Sequence, residues 1–415
     1  MFKGDTKVAN VNRNLPSHAG LGLGNENDIF QVDTTGDRYE IAANSFYALY
    51  PDLEPLTIHS LMDYDVCRPE AVDLQGTYCV RFIRADGDLD SVVLRVKKEI
   101  MPETAVLSAK IFEAVNEHCL GRDGMSVSDV RLFSGGDPVL NIDNHCVSAT
   151  SFVVGEHIVE PPTHTEVQFM AYAVARFTNA MQALPPALKQ ELDDNFETNA
   201  GDFSVDALRG ARYLRTEEGR RQALDLTKKF FAESEAQRII DIASKYGDVL
   251  EQPDALDYVH GVMIDANFLM KRLADGMPKG VHIMDNETVT MSKFPKGYDA
   301  GTLMYRAILG KAEGVGAEDD HAYLKTFLEA YNSRADIPLS QDEFSAAVNA
   351  YNANALLSNY GKLASWDPDT VPPEAGIQRF GRFALDTDQR LEQANLLQSQ
   401  QNVTSKPDQP HLDNT

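Results

Sequence analysis

The sequence predicts an α+β fold of two unequal lobes, a β-rich amino-terminal lobe and a larger, mainly helical carboxy-terminal lobe. Residues 77–155 hold short runs of β-branched and aromatic residues, which are typical of strands. After Pro161-Pro162 the apolar residues recur every three or four positions, which is typical of helices. At 415 residues, the chain is long enough to bury two cores.

The β-rich lobe is predicted to run strand, strand, helix, strand, strand. Asp86-Gly87 supplies a turn between the first two strands, which favours a hairpin. Gly121 suits the position just after the helix. The five predicted elements are Thr77–Arg84, Ser91–Val96, Glu103–Leu120, Val127–Phe133 and Cys146–Val154.

Three segments of the second lobe have clear helical signals. The apolar spacing of Val167–Leu184 is maintained until Pro185-Pro186 stops the helix. The segment Glu217–Tyr246 predicts either one long helix or a broken pair. Residues 340–343, Ser-Gln-Asp-Glu, have the form of a capping box that opens a helix through Leu357.

Both ends of the chain are predicted to lie outside the folded lobes. Residues 1–28 show little periodicity, and residues 385–415 are rich in Gln, Asn, Asp and Ser with almost no aromatic residues. The predicted organisation is an amino-terminal arm (1–45), a β-rich lobe (46–157), a helical lobe (158–375) and a polar, disordered tail (376–415).

The composition excludes several classes of partner. A net charge of −25 disfavours binding to nucleic acid and to anionic membranes, and it suits either a cationic small molecule or a basic protein, unless it serves solubility alone. No apolar run reaches membrane-spanning length, and no secretory signal follows Met1. The four cysteines are widely spaced, so we expect neither a disulfide framework nor a cysteine metal site, and we predict a cytoplasmic location.

The most informative segment is residues 258–301. It contains His260-Gly261-Val262, followed five residues later by Asn267. A strand-like run at 281–284 then leads to Asp285, and Tyr298-Asp299 opens an apolar helix. The apolar flanks predict a loop held between short strands, with these polar residues at one cleft.

This segment resembles the active-site segment of the aminoglycoside and choline phosphotransferase family, whose members have a two-lobed, protein-kinase-like fold. In that family the loop is His-Gly-Asp, four residues and then Asn, and a following strand ends in a metal-binding Asp. His260, Gly261, Asn267 and Asp285 stand at the matching positions. Val262 stands where the family has its catalytic aspartate.

The resemblance implies ATP (or GTP) and Mg²⁺ as cofactors, with Asn267 and Asp285 as metal ligands. His260 would support the loop, and Asp299 would hold it by accepting backbone N–H groups or a bond from the His260 ring. Asp265, three residues after Val262, is a candidate replacement for the missing base.

In the first lobe, the resemblance implies that Arg95 contacts the nucleotide phosphates and that Val153 lies in the strand that receives the adenine. Glu113 is the first candidate for the carboxylate that pairs with Arg95, and Glu103 is the second. Arg95 is equally compatible with an edge position that covers the core, and Glu113 with a solvent-facing position.

Two functional hypotheses follow. The first is a divergent small-molecule phosphotransferase, because phosphoryl transfer depends on positioning and charge neutralisation more than on covalent chemistry. The second is a pseudokinase, which retains the fold as a nucleotide-binding or protein-interaction module, and Val262 favours it. A different chemistry, such as nucleotidyl transfer, is a third possibility.

Overall fold

The structure, a computed structural model, confirms the α+β organisation, with a sheet-based amino-terminal lobe and a mainly helical carboxy-terminal lobe. It describes residues 30–31, 37–61, 76–97, 102–119, 125–158, 161–199, 202–284, 292–310, 317–364 and 373–404.

The first lobe is built on an antiparallel sheet in the order β1-β2-β3-β4-β7-β6. The predicted hairpin is present, with Cys79 opposite Val93 across β3 and β4. The elements of the first lobe are β1 (Phe30–Gln31), α1 (Asp37–Leu49), β2 (Pro55–Leu61), β3 (Thr77–Ile83), β4 (Leu89–Lys97), α2 (Pro102–Cys119), β5 (Met125–Val127), β6 (Val139–Ile142), β7 (His145–Ser151) and β8 (Glu156–His157).

Helix α1 covers one face of this sheet. Ile41 and Phe46 of the helix are buried with Leu94 and Val96 of β4 in one apolar core. The predicted lobe boundary at residue 46 therefore falls inside a helix, and 37–45 belong to the lobe rather than to an arm. Because side chains alternate along a strand, Arg95 lies on the opposite face of the sheet from this core.

The second lobe contains most of the helices. The segment Glu217–Tyr246 is a broken pair, and the capping box at Ser340 and Glu343 is present. The helix after Ser340 ends at Val348 instead of continuing through Leu357. The elements are α3 (His164–Gln182), α4 (Pro186–Asn199), α5 (Asp202–Arg215), α6 (Glu217–Thr227), α7 (Glu233–Leu250), β9 (Leu256–Val259), β10 (Phe268–Arg272), β11 (Pro278–Ile283), β12 (Ser292–Pro295), α8 (Tyr298–Met304), a π-helical turn (Tyr305–Leu309), α9 (Ala317–Asn332), α10 (Gln341–Val348), α11 (Ala350–Ala364) and α12 (Pro373–Thr404).

The prediction of disorder over residues 376–415 is wrong for 376–404, which form most of helix α12. Ile377, Ala384, Leu391 and Ala394 are buried along one side of this helix, in the two cores of the second lobe. Small and aliphatic residues at helical spacing supply this buried face, and Phe380 and Phe383 pack against the same two cores. The rest of the predicted tail, 405–415, lies outside the described residues.

A small sheet in the order β5-β11-β10-β8 lies between the lobes. Strand β5 follows helix α2 of the first lobe, and β10 and β11 form the hairpin after the loop at His260. The core on one face of this sheet includes Phe112 of α2, Phe177 of α3 and Met263 of the loop. This shared core fixes the loop against both lobes.

Candidate active site

The loop that begins at His260 is held by the carboxylate of Asp299, at the start of helix α8. Asp299 Oδ2 accepts the backbone N–H of His260 at 2.7 Å, and Oδ1 accepts that of Gly261 at 3.0 Å. Burial raises the pKa of the Asp299 carboxyl, while the nearby His260 and the two N–H bonds oppose that rise. The predicted role of Asp299 as acceptor of the loop N–H groups is confirmed.

His260 lies in the interior beneath the loop. Its side chain is fully buried, and its ring meets the rings of Phe112 and Phe177 edge to face, with centroids 6.4 Å and 5.4 Å away. Its Nδ1 accepts the N–H of Val262 at 3.4 Å. A ring enclosed in this way supports the shape of the loop, and the interior position keeps it from contact with an acceptor molecule.

Asn267 closes the loop onto the carbonyl group of Val262. Its Nδ2 donates to Val262 O at 3.0 Å, and the backbone N–H of Ile264 donates to the same oxygen at 3.0 Å. Because the two atoms of an amide point in opposite directions, this bond turns Oδ1 of Asn267 away from the Val262 carbonyl. The Val262 side chain itself is half-buried.

The β10–β11 hairpin places the end of β11 beside Asn267. Phe268 pairs with Ile283, and the N–H of Met284 donates to Asn267 O at 2.8 Å. Asp285 is the next residue, and it lies outside the described residues, so its predicted role as a metal ligand stays a prediction. Within the described ranges, no three His, Cys, Asp or Glu side chains form a metal-binding group.

Asp265, the candidate replacement base, begins a short 3₁₀ turn that ends at Asn267. Its side chain is half-buried, and the Oδ1 atom is shielded from solvent. Asp265 and Val262 therefore belong to the same tight loop. The proposal that Asp265 serves as a base stays a prediction.

The first-lobe candidates for phosphate contact lie on two elements, with Arg95 on β4 and both Glu103 and Glu113 on α2. Arg95 is half-buried in the middle of the sheet, between Thr77 and Ser148. Glu113, the first candidate partner, is exposed on α2, whereas Glu103 raises the pKa of Cys146, second in effect to burial. Cys146 lies on β7 two residues from Ser148, so Glu103 is close to the sheet that carries Arg95.

Val153 lies in the connection between the two lobes, after β7. This connection is tight at Gly155, where a Cβ atom would lie 2.7 Å from Leu269 Cβ and 3.3 Å from Met270 O. Val153 itself is half-buried, and Val154 is 55% exposed. The connection therefore packs directly on strand β10, which follows the loop.

Sequence reasoning missed a polar network on the small sheet. Ser126 Oγ lies 2.7 Å from Lys271 Nζ and 2.9 Å from His282 Nδ1, and Ser128 Oγ lies 3.4 Å from His282 Nε2. Burial, together with the charge of Lys271, lowers the pKa of His282 to about 3. Ser126 and Ser128 lie far in sequence from the β10–β11 hairpin, which carries Lys271 and His282. The alternation of side chains within β10 and β11 was therefore the only local signal.

No protein-family model matches the chain, and no curated protein matches its sequence. An amicoumacin kinase in complex with AMP-PNP, Ca²⁺ and Ami has a similar fold, at 13% identity and a TM-score of 0.49 over 85% of this chain and 94% of that one. A microcompartment-associated aminopropanol kinase has 13% identity and a TM-score of 0.46, over 87% and 98% of the two chains.

An aminoglycoside phosphotransferase from Alicyclobacillus acidocaldarius is also similar, at 14% identity and a TM-score of 0.44, over 78% of this chain and 90% of that one. Similarities this distant do not transfer the activities of those proteins to this chain. No described helix is both long enough and apolar enough to cross a bilayer.

Proposed function

We propose that this chain is a nucleotide-dependent phosphotransferase of the kinase-like type, acting on a small hydroxyl-bearing molecule. One observation carries the proposal. The loop from His260 to Asn267 is fixed by Asp299, and Asn267 O binds the N–H of Met284, the residue before Asp285. Asn267 therefore lies at the end of β11, and Asp285 is the carboxylate that follows Met284 in the sequence.

An amide oxygen of Asn267 and the carboxylate of Asp285 suit Mg²⁺. This ion prefers oxygen ligands and takes one or two carboxylates together with phosphate oxygens. Asn267 Nδ2 donates to Val262 O, so Oδ1 is the amide atom that would bind the ion. Asn267 and Asp285 would hold the ion. When bound, the ion would neutralise charge on the phosphates of ATP or GTP.

The first lobe would supply a cation for the phosphates. Arg95 lies on the face of the sheet opposite the core with α1, and a guanidinium presents a planar set of donors that suits phosphate oxygens. Val153 would border the adenine. Glu103, the second candidate from the sequence, lies close enough to this sheet to raise the pKa of Cys146, and it stays with Glu113 as a candidate partner of Arg95.

The valine at position 262 determines how efficient such an enzyme can be. An aspartate there would accept the proton of the attacking hydroxyl, and a positioned base contributes roughly 10²–10⁴ in rate. Alignment and charge neutralisation remain available without it. We therefore infer a slow transferase, with Asp265 as the candidate substitute base.

The acceptor is proposed to be cationic, such as an amino-alcohol or an aminoglycoside. The net charge of −25 attracts cations and repels anions. The same charge suits a basic protein, which would fit a chain that binds nucleotide without transferring phosphate. We place the protein in the cytoplasm, where ATP is available and where the thiols of Cys79, Cys119 and Cys146 stay reduced.

The second candidate function is a pseudokinase, and Val262 is the observation that favours it. In that case the chain binds nucleotide as a regulatory or interaction module. The two candidates share the nucleotide site and differ in turnover alone.

Thermal unfolding with and without Mg-ATP tests the site. We expect Mg-ATP to raise the unfolding temperature of the parent chain and to have no such effect on Asp285→Ala. Asp342→Ala, which removes an exposed carboxylate at the start of α10, is the matched control and should respond as the parent does. An unchanged temperature in the parent would argue against the transferase and against a pseudokinase that binds nucleotide, and it would leave the pseudokinase as a protein-interaction module.

If nucleotide binds, ATP turnover with a panel of amino-alcohols and aminoglycosides separates the candidates. Acceptor-stimulated release of ADP supports the transferase. Binding without turnover across the panel supports the pseudokinase.

A further inference from the structure

Most arginines of the second lobe form ion pairs with carboxylates. Arg209, Arg212, Arg215, Arg220, Arg221, Arg238, Arg272 and Arg390 each have a carboxylate within 4.0 Å. Arg306, Arg379 and Arg382 differ, because none of them pairs with a carboxylate in the part of the chain that the structure describes. Arg334 also has no described carboxylate within 4.0 Å but lies over Tyr172, whereas Arg306, Arg379 and Arg382 lie close together, in a chain with 63 acidic and 38 basic residues.

These arginines lie among half-buried aromatic rings on the π-helical turn, α11 and α12. Tyr351 and Phe380 meet edge to face with centroids 6.3 Å apart, and Phe380 and Phe383 do so at 6.4 Å. Arg382 is exposed and lies one turn from Arg379. We call this surface the aromatic–arginine patch, formed by Arg306, Tyr351, Arg379, Phe380, Arg382 and Phe383.

Two of the guanidinium groups lie over these rings. The Cζ atom of Arg379 is 5.6 Å from the centroid of Phe380 and 5.7 Å from that of Phe383, and the Cζ atom of Arg306 is 5.9 Å from that of Tyr351. A ring that supports a guanidinium restricts its motion and leaves the N–H donors at its edge available for carboxylates. The patch is therefore suited to bind planar anionic groups such as carboxylates.

The π-helical turn Tyr305–Leu309 adds an independent observation. Such turns are rare and are frequent at functional sites. Here the turn carries Arg306, which is half-buried and whose Nε has no hydrogen-bond acceptor among the described residues. A carboxylate from outside the chain, placed at the outer nitrogens of Arg306, would offset part of the cost of burying this charge.

We propose that the aromatic–arginine patch binds an acidic segment of a partner protein. Arg and aromatic residues are enriched in protein interfaces and carry much of their binding energy. An extended anionic membrane would be repelled by the charge of −25 on the whole chain, whereas a short acidic segment meets mainly the local positive charge. None of the six residues belongs to the candidate active site, so this binding is separate from phosphoryl transfer.

The test uses the full chain and a fluorescently labelled octamer of glutamate, with binding followed by anisotropy at about 0.15 M ionic strength, where charges beyond about 8 Å are screened. We expect the parent to bind the peptide. The double variant Arg379→Gln/Arg382→Gln should bind it at least about fivefold more weakly, because two exposed ion pairs are lost. Both residues are exposed, so the variant should fold normally.

The matched control is Arg84→Gln/Arg221→Gln, which changes the net charge equally but removes arginines that already pair with Asp88 and Glu218. It should bind the peptide as the parent does. Arg379→Lys keeps the charge and loses the planar group, so its affinity should fall between those of the parent and the double variant.

Four results would overturn the proposal. They are no binding by the parent up to about 1 mM peptide, an equal loss in the control variant, tighter binding to vesicles of phosphatidylserine and phosphatidylcholine than to the peptide, and self-association of the parent that the double variant abolishes. The last result would assign the patch to a second copy of this chain.

Discussion

The carboxylate of Asp299 binds the backbone N–H of His260 at 2.7 Å, across 39 residues of sequence. The same side chain binds the next N–H, that of Gly261. Helix α8 therefore fixes the start of the loop through one buried acidic group.

Replacing Asp299 by alanine should destabilise the chain by about 3 kcal/mol, because it leaves two N–H groups of a buried loop without their acceptor. Urea denaturation measures the loss, and hydrogen exchange at His260 and Gly261 should accelerate. Asp342→Ala serves as the control, with an expected change within about 0.5 kcal/mol. Equal stabilities of the two variants would contradict the anchoring role.

Introducing the missing carboxylate tests whether the chain is a disabled enzyme. If the proposed acceptor site is intact, Val262→Asp should increase acceptor-stimulated ATP turnover by roughly 10²–10⁴, the usual contribution of a positioned base. Val262→Asn has nearly the same shape without the basic carboxylate and should leave turnover unchanged. If both variants behaved like the parent, the base would have to lie elsewhere or the acceptor site would be lost.

His282 should make the stability of the chain dependent on pH. Burial is the main cause that lowers the pKa of His282 in the folded chain to about 3, and Lys271 is the second. In the unfolded chain the pKa is near its ordinary value of 6.5, so between these two values the unfolded chain binds a proton that the folded chain does not. The contribution is present above pH 6.5 and is lost as the pH falls towards 3. Between pH 7 and pH 5 the free energy of unfolding should fall by about 2 kcal/mol from this group.

His282→Gln removes the titrating group and supplies the control for this pH dependence. Urea denaturation at both pH values gives the difference between parent and variant. An identical pH dependence in the two proteins would show that the pKa of His282 is the same in the folded and unfolded chains, so that His282 is protonated in the folded chain at pH 5.

The ion pair of Arg390 and Asp320 should be a main support of helix α12. Arg390 contacts both oxygens of Asp320, whose side chain is 3% exposed, and it also binds Leu309 O at the end of the π-helical turn. Arg390→Gln leaves this carboxylate buried without its cation, and we expect a loss of about 3 kcal/mol in urea denaturation.

Arg221→Gln is the matched substitution at an exposed pair, where Arg221 is 67% and Glu218 58% exposed. The expected loss there is much smaller than for Arg390→Gln, because solvent screens an exposed ion pair. If the two variants lost the same stability, helix α12 would not depend on its ion pair with α9.

The connection between the lobes should not tolerate a side chain at Gly155. A Cβ atom there would lie 2.7 Å from Leu269 Cβ, so Gly155→Ala should cost about 1–3 kcal/mol by overpacking. Gly135→Ala is the control, because its nearest neighbour would be Asp137 Oδ2 at 3.4 Å in an exposed turn. Thermal denaturation of both variants checks the difference.

The loop and its anchor could be predicted from the sequence because their chemistry depends on short, fixed spacings. His260, Asn267 and Asp299 fall within one segment of 40 residues or so, and each has one dominant partner there. The β3–β4 hairpin and helices α2 and α3 were likewise visible, since apolar periodicity decides them locally.

The helix at residues 373–404 was missed for a physical reason. Its composition is that of a disordered segment, and the residues that it buries, such as Leu391 and Ala394, are few and small. Arg390 of this helix pairs with Asp320, which lies 70 residues earlier in the sequence. The composition of the helical segment carries no information about that stabilising partner. The network of Ser126 and His282 was missed likewise, since the two are 156 residues apart.

Helix α12 also bears on how the chain acquires its structure during synthesis. Leu391 and Ala394 fill the same core as Met263 of the loop. This core therefore has a gap until the segment that contains Leu391 and Ala394 has left the ribosome. Nascent chains stopped before it would expose apolar surface to chaperones and proteases, although every residue of the loop is already present.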